Sequence, residues 1–233
     1  MIILLVILSA VCFYLFGAVY VEKKGHTFWS IISLIVLVLS VTVFALHDVN
    51  HLGMKVKTRT ETMSLASTSN KANLLLYKQL GTGSEKIYIY KTDIHQTKAK
   101  HTWIDSQAKS KVVTTKSQPK LVIKKHQYVY DSALSKAMFG ILGDNNETKS
   151  IDYRFEINPT WSVLSTNQAA KLQTALKQPA TQMKLKQMVA SQVKAGLMQA
   201  MKKNPQMSTA DQGKLQIQLT NEAKARAIEQ LVK

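Results

Sequence analysis

His47, Asp48 and His51 are the first residues of this 233-residue chain with chemistry to offer. Histidines four apart share one face of a helix, a spacing at which two imidazoles can hold zinc. Two nitrogens and one neighbouring carboxylate make an incomplete site, and the glutamate of a zinc-protease helix is absent. His95, His101 and His126 lie further on, with Asp93, Asp105, Asp131 and Asp152 as acidic partners on paper. A hydrolytic triad also needs an activated nucleophile in a strained turn. No G-x-S-x-G occurs, and the one cysteine, Cys12, sits inside an apolar run. These histidines are therefore read as surface or hydrogen-bonded side chains. Gly81-Thr82-Gly83 opens like a phosphate loop but lacks the G-K-[ST] that would complete it, so a hairpin turn accounts for it. No catalytic, metal-binding or cofactor-binding residue is assigned, and the chain is expected to be non-enzymatic.

The stronger signal is charge. Lys and Arg number 31 against 14 Asp and Glu, a formal net charge of +17. Only Arg59, Arg154 and Arg226 are arginines. Lysine is a strongly hydrated point charge, whereas planar, bidentate reading of bases and phosphates favours arginine. A diffuse positive field follows, and nucleic acid is an unlikely partner. Lys124 and Lys125 are interleaved with His126, Tyr128 and Tyr130, a composition that single-strand binders use. Strand alternation produces the same pattern. Lys184, Lys186, Lys194, Lys202 and Lys203 decorate a later amphipathic stretch. A basic amphipathic helix either lies on anionic lipid or packs on its own domain with its lysines in water. These seven lysines are the candidates for contact with an anionic surface.

The elements that must carry those residues begin with two apolar runs. MIILLVILSAVCFYLFGAVY and FWSIISLIVLVLSVTVFAL contain no charge, and VEKKGHT separates them. Each approaches the ~20 residues that cross a ~30 Å hydrocarbon core, so a tight transmembrane hairpin is expected. A cleaved signal peptide would need a basic start and a small-residue cleavage site, and neither is present. Lys23 and Lys24 directly flank both runs and favour a cytoplasmic loop, with both termini outside; Lys55, Lys57 and Arg59 argue the other way.

Residues 47–70 are rich in Thr and Ser and read as a linker or a first irregular strand. Residues 71–165 are β-rich. Leu74–Tyr77 and Ile87–Tyr90 flank the Gly81–Ser84 turn and predict a hairpin. Further strands are expected over 101–104, 111–115, 120–123, 127–130, 151–157 and 161–164. In Ile151-Asp152-Tyr153-Arg154-Phe155-Glu156-Ile157 the odd positions are apolar and the even ones charged, which predicts one buried and one wet face. Gly143-Asp144-Asn145-Asn146 is the clearest internal loop. Beyond Trp161, the last aromatic residue, the pattern turns helical. Leu185, Val189, Val193, Leu197 and Met201 form one stripe, which Asn204-Pro205 ends. Ser208 with Asp211 starts a second helix, whose stripe is Leu215, Leu219, Ala223, Ala227 and Leu231.

The double apolar run, the segment LYKQLGTGSEKIYIYKT and the Lys-rich, Met-containing tail resemble an uncharacterised family of small membrane proteins from lactic acid bacteria, the domain-of-unknown-function family 4811. The resemblance extends over nearly the whole chain and implies no known activity and no site residues.

The expected fold is a membrane-anchored α+β chain. It has two N-terminal transmembrane helices over 1–46, a linker over 47–70, an antiparallel β domain (sandwich or small barrel) over 71–165 and a C-terminal helical hairpin within an amphipathic segment over 166–233. The expected function is that of a non-enzymatic, multi-pass envelope protein of a Gram-positive cell membrane. Residues 47–233 would lie outside the cell and bind anionic wall polymer or lipid. The alternative is an accessory subunit or scaffold that holds a membrane protein complex through its spans and Met-rich helices.

Overall fold

A computed structural model describes residues 1–69, 72–81, 83 and 85–232. Positions 70, 71, 82, 84 and 233 lie outside the described residues. On them fall the junction of the expected linker and β domain, part of the Gly81–Ser84 turn and the end of the helical segment. The chain forms two compact units, Met1–Arg59 with Lys125–Ser150, and Thr60–Lys124 with Ile151–Lys233.

In the first unit, α1 (Ile2–Tyr14) runs into a π-helical turn (Leu15–Val19), and α2 (His26–Asn50) follows after a short turn. The turn closes at Gly25, whose φ of 87° suits glycine alone among common residues. The two helices meet along small residues. Ser33, Ser40 and His47 recur every seven positions of α2 and are buried, as is Ser9 of α1. The hydroxyls of Ser33 and Ser40 donate to the carbonyls of Trp29 and Val36 at 2.8 and 2.7 Å. Close approach of backbones at small, internally satisfied residues is how helices pair where no water drives them together. Large side chains point the other way: Leu8 is 64% exposed and Leu39 59%. Both helices are long and apolar enough to cross a hydrocarbon core.

The same unit holds α3 (Ala133–Phe139), a 3-10 turn (Gly140–Leu142) and the loop that follows. Ser132 caps α3 by accepting from the Ser135 N–H at 3.1 Å. The α-amino group of Met1 donates to the Ala137 and Met138 carbonyls at 3.1 and 2.7 Å, so the end of α3 sits against the start of α1. Gly53 links α2 to the first strand with φ +80°, and a Cβ there would meet the Ser135 hydroxyl at 2.8 Å. Gly53→Ala combines a strained backbone with this clash. It is expected to cost about 1–3 kcal/mol, read as a lower urea midpoint of the full-length chain in neutral micelles.

Among the described residues, eight strands form two sheets. They are β1 (Met54–Ser64), β2 (Leu74–Gln79), β3 (Lys86–Tyr90), β4 (Lys100–His101), β5 (Ala108–Thr114), β6 (Lys120–Tyr130), β7 (Thr148–Ile157) and β8 (Ser162–Ser165). Their orders are β1-β6-β7-β5 and β4-β3-β2-β8. The expected β2–β3 hairpin is present and antiparallel. The sheets as a whole are mixed, which corrects the antiparallel expectation: β2 pairs with β8 and β5 with β7 in parallel. Parallel neighbours need long crossovers, and the chain supplies them between β2 and β8 and between β5 and β7.

The second unit is layered, and β2 shows why. Leu75 and Tyr77 face the aromatic core shared by the two sheets, with Tyr88, Leu121, Tyr153 and Phe155. Leu74 and Leu76 face the opposite way, into a second core with Leu164, Leu172 and Ile228. A strand buried on both faces reads as a continuous apolar run, as Leu74-Leu75-Leu76-Tyr77 does. Three helices cover the outer face: α4 (Thr166–Ala175), α5 (Pro179–Lys203) and α6 (Thr209–Leu231). The α5–α6 hairpin matches expectation. Asn204 ends α5, and the Ser208 hydroxyl caps α6 by accepting from the Asp211 N–H at 3.2 Å. Gly196 sets the crossing, since a Cβ there would lie 3.0 Å from both Leu219 methyls. The additional helix, α4, starts from a full capping box made by Ser165 and Gln168.

Candidate functional site

The helical layer does not fill the space above β2. Leu74 and Leu76 of β2, Leu172 and Leu176 at α4, the stripe of α5 and Ile228 of α6 enclose a half-open cavity of about 1260 Å³. All five residues of the α5 stripe read from the sequence, Leu185, Val189, Val193, Leu197 and Met201, line it. The helix therefore turns its apolar face toward a void where packing on its own domain was the plainer expectation. The far end is the more open: Met198 and Met201 are 53% and 47% exposed, whereas Val193 is 9% exposed. Methionine's unbranched thioether adapts to irregular apolar partners. A smaller cavity of about 390 Å³ shares Ser69, Ala72, Lys224 and Ile228 with the first.

The polar part of the lining has one sign. Lys91, Lys177, Lys186, Lys194 and Lys224 contribute to it, and no Asp or Glu does among the described residues. Lys177, Lys186, Lys194 and Lys224 are exposed, with their amines free to reach water. An aliphatic floor under a cationic rim suits an amphiphile with a negative head. Long lysine stems lie along apolar surface while their charges stay wet, so such a rim costs little when empty.

Of the seven lysines singled out in the sequence, Lys186 and Lys194 line this cavity. Lys184, Lys202 and Lys203 are on α5, exposed and outside the lining, and Lys124 and Lys125 are on β6. The seven candidates did not include Lys91, Lys177 or Lys224, which also line the cavity. Lys224 had a signal, because it lies beside Ala223 in the α6 stripe. Lys91 had none, because its place follows from an isolated bridge to Ala66 just beyond β3.

The histidines do not gather. α2 stops at Asn50, and His51 takes a left-handed conformation (φ 53°, ψ 39°), which removes it from the helix face of His47. Its ring stacks on Tyr128 at 3.8 Å. His47 is 1% exposed and lies flat on Phe139, with ring centroids 3.7 Å apart. Its Nδ1 lies 2.6 Å from the Leu52 carbonyl oxygen and its Nε2 2.6 Å from Asp144 Oδ2, each a hydrogen bond. Tyr130 donates its hydroxyl to Asp144 Oδ1. Burial pushes the Asp144 carboxyl up, but the hydrogen bonds from Tyr130 and His47 outweigh it and hold the group below its ordinary value. Burial and the bonded carboxylate together push the Tyr130 phenol up to about 12. This cluster pins the end of α2 to the loop after α3. Elsewhere, the His95 N–H donates to Asp93 at 2.7 Å, His101 Nδ1 bonds the Thr102 carbonyl at 2.9 Å, and His126 Nδ1 bonds Thr58 at 2.9 Å.

The model of a family described as "Domain of unknown function (DUF4811)" matches residues 22–172 of the chain. No curated protein matches, and no solved structure does. The matched segment starts at the turn before α2 and ends within α4. The first apolar helix and the Lys-rich tail, both counted as points of likeness in the sequence, therefore lie outside it, as do α5 and α6 of the cavity.

Proposed function

This chain belongs to the DUF4811 family, and we propose that it is a non-enzymatic, membrane-anchored envelope protein that binds anionic lipid. The observation that carries this reading is the cavity beside α5, apolar within and ringed by lysines without a carboxylate. It narrows the earlier pair of anionic partners: a wall polymer has charge but no tail for an aliphatic floor, whereas a lipid has both. The α1–α2 pair is the anchor in this reading, spanning the membrane twice. Supporting it are the outward-facing aliphatic side chains and the aromatic group at the turn, where Phe16 lies 6.1 Å from Trp29 and Lys23 sits 4.5 Å over the Tyr20 ring. Aromatic rings and lysines of this kind collect at the membrane–water boundary. With Lys23 and Lys24 cytoplasmic, the strands and α4–α6 are extracellular.

The test uses the full-length chain in phosphatidylcholine nanodiscs and measures its binding to vesicles containing phosphatidylglycerol. Binding is expected to fall at least tenfold between about 0.1 M and 1 M salt, where the screening length drops from ~10 to ~3 Å. Salt-independent binding, or equal binding to phosphatidylcholine vesicles, refutes the electrostatic reading. Release of the chain from membranes by alkaline carbonate refutes the anchor.

A further inference from the structure

We infer that the cavity beside α5 holds a single-chain phospholipid, with its acyl tail along the α5 stripe and its phosphate among Lys186, Lys194 and Lys224. The assignment deepens the lipid-binding reading above and rests on it.

Length comes first. The lining residues of α5 run from Leu185 to Met201, about 24 Å of helix at ~1.5 Å per residue. One acyl chain of a membrane lipid reaches across half of a ~30 Å hydrocarbon core, or ~15 Å. The groove is long enough for a tail and leaves room for a head.

Polarity comes next. In the α5–α6 hairpin, Gly196 packs against Leu219. That register places Lys224 of α6 across from the α5 stretch between Lys186 and Lys194. Beyond Lys194 the lining continues through Leu197, Met198 and Met201 without another lysine, and Gln216 is the neighbour from α6. Along α5 and α6 the lysines of the lining therefore lie to one side of Leu197, and the aliphatic side chains continue past them to Met201. The head belongs at Lys186, Lys194 and Lys224, and the tail runs toward Met201.

Head chemistry follows from residue type. Among the described residues, the lining contains five lysines and no arginine. Lysines act as converging point charges, so they select an anionic head by its amount of charge and not by the bidentate shape a guanidinium would read. A phosphate monoester at neutral pH carries between one and two negative charges, enough to engage more than one amine.

The test is photolabelling of the full-length chain in phosphatidylcholine nanodiscs. The probe is palmitoyl lysophosphatidate with a diazirine at the tail end, and labelled peptides are mapped by mass spectrometry. Label is expected on Leu197–Met201. Labelling should fall at least tenfold in the triple variant K186E/K194E/K224E, whose substitutions are all at exposed positions. It should fall at least tenfold when the probe carries the neutral phosphocholine head. Val189→Trp leaves every lysine in place and narrows the groove beside α5, so it should also lower the label and decides the matter if the triple variant misfolds. Label confined to α1 and α2, equal labelling by the phosphocholine probe, or undiminished labelling of well-folded variants overturns the assignment. Salt-sensitive binding to phosphatidylglycerol vesicles, measured on the same preparation, separates the two readings. If it persists without label on α5, the cavity assignment fails alone; if it is absent as well, both fail.

Discussion

Asp144→Ala is expected to destabilise the unit formed by residues 1–59 and 125–150 by about 1–3 kcal/mol, the usual cost of leaving a buried hydrogen-bonding group without its partner. Both nitrogens of His47 face acceptors, the Leu52 carbonyl and the Asp144 carboxylate. At 1% exposure, water cannot replace the lost carboxylate. Tyr130 loses its acceptor in the same step. Adding His47→Phe should recover much of the loss, because the new ring keeps the stack on Phe139 and leaves no orphaned polar group. The pH dependence has a definite sign. Asp144 titrates below its ordinary value when folded. Its contribution is therefore complete above the unfolded carboxylate value of about 3.9 and is lost as pH falls through the lowered folded value. Tyr130 is raised to about 12. Its contribution is complete below about 10 and is lost as pH rises through about 12. Amide hydrogen exchange over residues 125–150, followed by mass spectrometry in neutral micelles, checks this locally. Protection in Asp144→Ala equal to that of the parent at neutral pH would mean that the cluster holds nothing in place.

What could be read from the sequence follows from how each signal is encoded. β7 alternates in the sequence and in the fold: Ile151, Tyr153, Phe155 and Ile157 are buried, while Asp152, Arg154 and Glu156 are not. Period and burial coincide there because one face meets a core and the other does not. β1 gave little signal for the opposite reason. Most of Met54–Ser64 is exposed, so its Lys and Thr residues look like linker. Residues 120–123 and 127–130, read as two strands, are one strand, β6, since Lys124, Lys125 and His126 interrupt the apolar pattern without breaking the backbone. The helical stripes of α5 and α6 were legible, and so was the Ser208 cap. Ser165 and Gln168 spelled out a capping box that marks α4, but the neighbouring strand pattern masked it. The cavity itself was not legible. A stripe announces an apolar face and says nothing of whether side chains or space lie opposite. Likewise Asp144 sat in a plain loop motif, and only the fold brings it to a histidine 97 positions away.

Phe155→Ala is expected to remove about 3–5 kcal/mol from the second unit, the upper range for truncating a buried aromatic side chain. Phe155 is fully buried, and its ring centroid lies 5.0 Å from that of Tyr88 and 5.7 Å from that of Tyr90. It joins β7 of one sheet to β3 of the other, so its loss opens a void where the sheets meet. Phe155→Leu retains most of the volume and should cost clearly less. At ~2–4 °C per kcal/mol for a chain of this size, the alanine variant should melt about 10 °C below the parent in a calorimetric scan. The effect on the cavity is the more telling readout. Leu75 and Tyr77 face the Phe155 core, and Leu74 and Leu76 face the cavity. A strand shared by two layers transmits a loss of packing on one face as a loss of order on the other. Photolabel on Leu197–Met201 should therefore decline in Phe155→Ala as the temperature nears its lowered midpoint, and match the parent well below it. A label that disappears at every temperature would place Phe155 in the binding machinery, and one that survives the melt would show that α5 and α6 hold the lipid without the sheet.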